Sequence, residues 1–316
     1  MDILLLLAGL GLILGGANFL TDGAAAVAQR LRMPEFVVGL TVVAVGTSTP
    51  ELAVSVLSAI AHNSDMAVGN VVGSNLFNVF VILGICALIA PVALTSGNIR
   101  RDIPIGLGVS VLLFLLASDR LLHLGATDRI GRAEGIGMLL LYAAILWYTV
   151  RTTPRPAHAE TPGRKQQAPW LSVVFILGGL AALVGGGELF LKSAVSIARH
   201  LGVSESAIAI TLVAGGTSLP ELASSVVSVV KGRPDIALGN VVGSNIANIL
   251  LILGLCSTVV PLTPGGIDAV TLGAVVLSSL LLFAAAFTFR RRALDRWEGV
   301  LFLAIYGAYL WWLLAK

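Results

Sequence analysis

Charge is scarce in this sequence. Its 316 residues carry 20 Lys and Arg and 17 Asp and Glu, so 12% are charged while 57% are hydrophobic. A soluble domain carries about 25% charged residues, and half of that is too little to cover a water-facing surface. An integral membrane protein is the class that remains. The net charge of +3 is no nucleic-acid footprint, because the basic residues cluster at the ends of apolar runs. Cysteine is nearly absent: Cys86 and Cys256 are the two, too few for a disulfide framework. Histidine is also rare. His62, His123, His158 and His200 fall at the ends of apolar runs or in a polar stretch, with no HExxH or paired-His spacing. No nucleophile–base motif appears, so an enzyme is not expected, nor is a cofactor. The N-terminal MDILLLLAGLGLILGG carries Asp2 where a secretory signal carries basic residues, and it reads as a first retained span. Neither a lipidation motif nor a long polar domain at either end is evident.

What the chain does have is long apolar runs. A helix needs about 20 apolar residues to cross the hydrocarbon core. Ten spans are predicted, at 2–22, 35–61, 66–90, 103–118, 133–150, 170–191, 204–230, 235–260, 269–289 and 298–315. The second and seventh are longer than a crossing requires and should be tilted or broken. An even number of spans returns both termini to one side. Fourteen of the 20 Lys and Arg then fall on the side away from the termini and six on the termini side. The positive-inside rule makes the first side cytoplasmic and puts both termini outside, in a prokaryotic plasma (inner) membrane. Residues 151–169, RTTPRPAHAETPGRKQQAP, are rich in Pro and basic residues without an apolar period. They read as a cytoplasmic linker between halves 1–150 and 170–316.

The halves repeat one another. Gly46 aligns with Gly216 at an offset of 170, and Gly69 with Gly239 and Pro91 with Pro261 at the same offset. GNVVGSN at 69–75 recurs letter for letter at 239–245, and no gap is needed from 41 to 91. Each half holds five spans. An odd number inserts the second half upside down relative to the first, which is the inverted repeat of secondary transporters, with sites near the midplane at the repeat interface. The other reading is a duplicated structural bundle, which does not require a repeated carboxylate. Cys86 and Cys256 also match at offset 170. Inversion puts them near opposite faces, too far apart for a disulfide, so free buried thiols are predicted.

The repeated carboxylate lies in GTSTPE at 46–51 and GTSLPE at 216–221. Pro50 has no amide hydrogen and clashes with the Gly46 carbonyl, so the helix should break there. Carbonyls freed near Ala44 to Gly46 need partners, and a cation is one. Thr47 and Glu51 are four apart and share a face, with Ser48 beside them. The second copy offers Ala214, Thr217, Ser218 and Glu221. Such hard oxygen ligands suit calcium, magnesium or sodium rather than zinc or copper. In the following spans Asn70, Ser74 and Asn78 form a stripe four residues apart, repeated as Asn240, Ser244 and Asn248. Polar groups at this depth face the interior, either as cation ligands or as glue between helices. The same choice holds for Asn75 and Asn245.

No Lys or Arg lies at the predicted depth of Glu51 or Glu221; Lys192, near the outer end of its span, is the nearest basic candidate. Two carboxylates meeting across a pseudo-two-fold axis repel each other, and burial without a counter-charge is costly. One divalent cation, two monovalent cations or two protons relieve this equally. Such competition for one site is what an antiporter needs. Glu188 and Lys192, four apart, are expected to pair on one helix face near the outer surface; Asn18 and Asp22 hold those places in the first half.

GTSxPE followed by GNVVGSN, present twice, resembles the calcium/cation antiporter superfamily, in particular its sodium/calcium exchanger branch of prokaryotic type. The resemblance covers α-repeats 35–91 and 205–261, and the span layout agrees over nearly the whole chain. The proton/calcium branch tends instead to carry a GN-x-x-E form. The resemblance implies an all-α membrane protein of ten transmembrane helices in two inverted five-helix repeats, with helices 2 and 7 broken at the ion site. It implies four ion sites held by the Ala44 carbonyl, Thr47, Ser48, Glu51, Ser74 and Asn78, together with the Ala214 carbonyl, Thr217, Ser218, Glu221, Ser244 and Asn248. Relatives that use potassium carry an acid where Asn248 stands, so potassium cotransport is not implied. It also implies that the first and sixth spans slide across the other eight; the glycine-bearing runs at 14–16 (LGG) and 185–187 (GGG) permit close contact.

The expected function is therefore sodium/calcium antiport by alternating access, with calcium, sodium and the lipid bilayer as partners and no obligatory protein or nucleic-acid partner. A proton/calcium antiporter of the same fold is the alternative, and a passive cation channel a more distant one.

Overall fold

A computed structural model describes residues 1–119, 128–154, 168–201, 214–288 and 292–315. Most of the 151–169 linker, the start of the seventh predicted span, His123 and His158 lie outside these residues.

The elements, in order, are α1 (Asp2–Leu31), α2 (Glu35–Val38), a wide π-helical turn at Gly39–Val43, α3 (Ala44–Thr47), α4 (Thr49–Ile60) and α5 (Ser64–Phe77). A second π turn at Asn78–Ile82 leads into α6 (Leu83–Ile89), β1 (Val92–Ala93), a third π turn at Asn98–Asp102, α7 (Ile103–Leu116), α8 (Arg132–Thr152) and α9 (Pro169–His200). Then come α10 (Ala214–Gly216), α11 (Leu219–Val230), α12 (Pro234–Ala247), a fourth π turn at Asn248–Leu253, α13 (Gly254–Val259), α14 (Ala269–Ala285), β2 (Ala293–Leu294) and α15 (Arg296–Ala315). Among the described residues, five helices are long and apolar enough to cross a membrane; the pair Glu35–Thr47 and Thr49–Ile60, bent by 47°, brings this to six.

By packing, the chain divides into two compact units, Met1–Pro50 with Thr152–Val241, and Glu51–Arg151 with Val242–Lys316. This division cuts across the sequence halves: each unit takes helices from both.

In the first unit α1 and α9 lie against each other backbone to backbone. Gly9, Gly16 and Gly23 recur every seven residues on α1, and Gly179 and Gly186 do so on α9. A Cβ built on Gly16 would lie 2.7 Å from the Gly179 carbonyl oxygen, and one on Gly186 would lie 2.9 Å from that of Gly9. Ile13, Ala17, Leu20, Ile176 and Leu183 pack beside this seam. The end of α11 is tied to α1: Lys231 Nζ pairs with Asp22 at 2.9 Å and donates to the Asn18 carbonyl at 3.0 Å. Glu188 and Lys192 pair at 2.6 Å on an exposed helix face, as their spacing predicts.

In the second unit, Phe80 and Phe302 meet edge to face at 5.7 Å, and the hydroxyls of Ser110 and Ser279 lie 2.8 Å apart. After Pro91, Val92 pairs with Leu294 in the antiparallel β1–β2 ribbon. After Pro261, Leu262 pairs with Ile130 in an antiparallel bridge. Val92 and Leu262 are again 170 apart, so each half ends its repeat with an extended residue that Pro helps to break from the helix. Cys86 and Cys256 are free and buried.

Candidate ion-binding site

The break in the second predicted span falls at Ser48, whose φ of −78° and ψ of 11° take it out of the helix. Pro50 has no amide to offer the Gly46 carbonyl. Thr49 replaces it, donating its hydroxyl to that carbonyl at 2.7 Å. The Ala44 carbonyl keeps a bond from the Ser48 amide at 3.0 Å and takes a longer one from the Thr47 hydroxyl at 3.4 Å. Sequence alone leaves these carbonyls bare; the structure shows the kink partly repairing itself. The broken turn therefore exposes fewer backbone oxygens than its proline implies.

Two clusters of oxygens result, one in each unit. In the first, Glu221 sits in the first turn of α11, where helix amides favour a carboxylate. It is 1% exposed. Its Oε1 accepts from the Ser48 hydroxyl at 2.9 Å, and its Oε2 is buried with no hydrogen-bond partner. Asn240 braces this turn: its Nδ2 donates to the hydroxyls of Ser224 and Ser225 at 3.1 and 3.0 Å and to the Glu221 carbonyl at 3.4 Å. Its Oδ1 accepts from the Thr47 hydroxyl at 3.2 Å. Ala214 opens α10, and Thr217 and Ser218 form the turn between α10 and α11. Ser218 is buried; the Thr217 hydroxyl is buried without a hydrogen-bond partner.

In the second cluster Glu51 sits in the first turn of α4 and is 0% exposed. The Ser74 hydroxyl donates to its Oε1 at 3.4 Å. Asn70 braces this turn as Asn240 braces the other, donating to the Glu51 carbonyl at 3.2 Å and the Ser55 hydroxyl at 3.0 Å. Asn78 and Asn248 each open a π turn, a distortion common at functional sites. Their amide nitrogens are tied down: Asn78 Nδ2 donates to Asn245 Oδ1 at 3.0 Å, and Asn248 Nδ2 to Asn75 Oδ1 at 3.2 Å. Asn75 and Asn245 in turn donate to each other's backbone carbonyls at 3.4 and 3.3 Å. Once the nitrogens are fixed, Oδ1 of Asn78 and of Asn248 is buried with no hydrogen-bond partner. Ser244 is buried in the same span.

A buried oxygen left without a partner costs roughly 1–3 kcal/mol. Glu221 Oε2, Asn78 Oδ1 and Asn248 Oδ1 share that condition, and all are hard acceptors of the kind calcium and sodium take. Among the described residues no group of three His, Cys, Asp or Glu could hold a metal; the buried oxygens gathered here are those of hydroxyls, amides and single carboxylates. Asn70, Asn75, Asn240 and Asn245, for which sequence left brace and ligand open, make protein hydrogen bonds as braces. The Thr21 hydroxyl, 3.0 Å from that of Ser228, was not anticipated; a lone Thr in a first span carries no repeat signal.

The family model described as sodium/calcium exchanger protein matches residues 1–151 and 171–315. The chain is 36% identical over 317 residues to the putative antiporter CaxA of Alkalimonas amylolytica, covering 96% of this chain and 95% of that one. It is 33% identical over 342 residues to the sodium/calcium exchanger MaX1 of Methanosarcina acetivorans, covering 98% and 97%. The inner membrane protein YrbG of Escherichia coli is 34% identical, covering 98% and 94%. Among solved structures, the sodium-calcium exchanger NCX_Mj soaked without sodium and calcium superposes with a TM-score of 0.84 at 30% identity, covering 99% of this chain and 98% of that one.

Proposed function

The chain belongs to the sodium/calcium exchanger family, a family of membrane cation antiporters and not of enzymes, and from that footing we propose that it exchanges sodium for calcium by alternating access at a site built around Glu51 and Glu221. Calcium and sodium are its cargo, and entry of sodium drives calcium out. The ligands in this reading are the carbonyls of Ala44 and Ala214, the hydroxyls of Thr47, Ser48, Ser74, Thr217, Ser218 and Ser244, the amide oxygens of Asn78 and Asn248, and the two carboxylates. The architecture is ten spans in two inverted five-helix repeats, 1–150 and 170–316, joined by a cytoplasmic linker at 151–169, with both termini outside.

The observation that carries the proposal is the set of buried oxygens whose neighbours are spent on holding them. Asn75 and Asn245 fix the amide nitrogens of Asn248 and Asn78 and leave their oxygens unpartnered. A purely structural asparagine pair would satisfy both ends of each amide. Relatives named as a sodium/calcium exchanger and as an antiporter match over nearly the full length, which supports calcium and sodium as the ions. The test is calcium flux in proteoliposomes with Glu51→Gln and Glu221→Gln. Each is expected to abolish calcium flux while the protein stays folded and monodisperse. Wild-type flux in either variant would refute the site.

A further inference from the structure

Beside the β1–β2 ribbon of the second unit is a cavity of about 340 Å³ lined by Ser96, Ile99, Arg100, Ala286, Phe287 and Arg292. It lies where α14 ends and where the π turn before α7 begins, that is, at the ends of two apolar helices. Arg292 occupies the left-handed region with φ 66°, uncommon for a side chain larger than glycine. Two backbone bonds hold it there: its amide donates to the Ala286 carbonyl at 2.9 Å, and its carbonyl accepts from the Leu94 amide at 2.8 Å. The acid nearest in sequence to Arg100 is already used, since Asp102 is buried and paired with Arg101 at 2.8 Å. No lining residue is acidic. The guanidinium groups of Arg100 and Arg292 are exposed and make no ion pair or side-chain hydrogen bond among the described residues. Phe287, 60% exposed, adds an apolar wall.

We propose that this cavity binds the phosphodiester headgroup of an anionic phospholipid from the adjoining leaflet. Two arginines lining one cavity match phosphate oxygens, which arginine forks grip in two-point fashion. The Ser96 hydroxyl supplies a further donor, and Phe287 lies against the start of the acyl chains. The volume is near the lower end of the ~300–1,000 Å³ usual for ligand pockets, which fits a headgroup and leaves the tails in the bilayer. Basic pockets at helix ends capture anionic headgroups in this way. A role in setting membrane orientation alone explains positive charge here; it does not explain a strained Arg292 held over a cavity.

The test is photo-crosslinking of the full-length protein in nanodiscs that contain a photoreactive phosphatidylglycerol, with adducts mapped by mass spectrometry. Adducts are expected on the peptides around Ser96–Arg100 and Ala286–Arg292. Unlabelled phosphatidylglycerol should compete and phosphatidylcholine should not, and R100Q/R292Q should reduce the adducts about tenfold or more while Arg132→Gln leaves them unchanged. Equal competition by phosphatidylcholine, or adducts unaffected by R100Q/R292Q, would overturn the proposal. Competition by excess inorganic phosphate as strong as that by the lipid would overturn the lipid assignment in favour of a soluble anion. If R100Q/R292Q is not monodisperse, the wild-type adduct map and its competition decide alone. The readout is lipid capture, so failure of sodium-driven calcium flux and failure of this proposal are separate results.

Discussion

Asparagine does two jobs here, and the amide nitrogen tells them apart. In Asn70 and Asn240 the nitrogen braces the turn that carries a glutamate. In Asn78 and Asn248 it is held by a second asparagine, and the oxygen is left over. In the proposed site, Asn75 would act through Asn248, whose amide nitrogen it holds. Asn75→Ala frees the Asn248 amide to rotate, and groups that orient a ligand typically contribute about 10–100-fold to metal affinity. The apparent calcium affinity in a flux assay should fall by that range while the protein elutes as the wild type does. Unchanged affinity would mean the Asn75–Asn248 bond is packing only. GNVVGSN, which occurs twice, made Asn70, Asn75, Asn240 and Asn245 visible in the sequence, and the four-residue stripe running on from it made Asn78 and Asn248 visible. Their division of labour was not visible, because it depends on which helix each amide meets.

Helices in this molecule are distorted where the motifs lie. The kink at Ser48 survives because Thr49 caps the Gly46 carbonyl that Pro50 leaves. Thr49→Val removes that cap and keeps the shape, so the unfolding free energy should drop by roughly 1–3 kcal/mol, read as a lower midpoint in thermal unfolding of the detergent-solubilised protein. Proline signalled the kink in advance, whereas nothing local signalled the cap. The α1–α9 seam was half legible. The glycine runs at 14–16 and 185–187 pointed to close contact, yet Gly15 and Gly185 face open space, and contact runs through the seven-residue spacing of Gly9, Gly16 and Gly23. A seven-residue period returns to the same helix face, which adjacent glycines cannot do. Overpacking this seam should be costly: Gly16→Val is expected to lose about 1–3 kcal/mol, while Gly15→Val stays within about 0.5 kcal/mol. Equal losses would place the seam elsewhere. Glycines bring α1 and α9 backbone to backbone and make these helices a tight pair.

At the scale of the whole chain, the repeat and the packing divide the sequence differently. Identity at offset 170 separates residues 1–150 from 170–316, while packing joins Met1–Pro50 to Thr152–Val241. Sequence shows the first division because duplication leaves identical letters. It hides the second because tertiary partners carry no shared spelling. The packing division passes through the first motif: Ser48 contacts Glu221 in one unit, and Glu51, three residues later, meets Ser74 in the other. The central claim is that sodium is the ion whose gradient moves calcium through that site, and calcium uptake into proteoliposomes tests it most directly. Uptake is driven in parallel by an imposed sodium gradient and by an imposed pH gradient. Uptake that follows the sodium gradient, is indifferent to the pH gradient and disappears in Glu221→Gln is the predicted result; uptake driven by the pH gradient without sodium would contradict it.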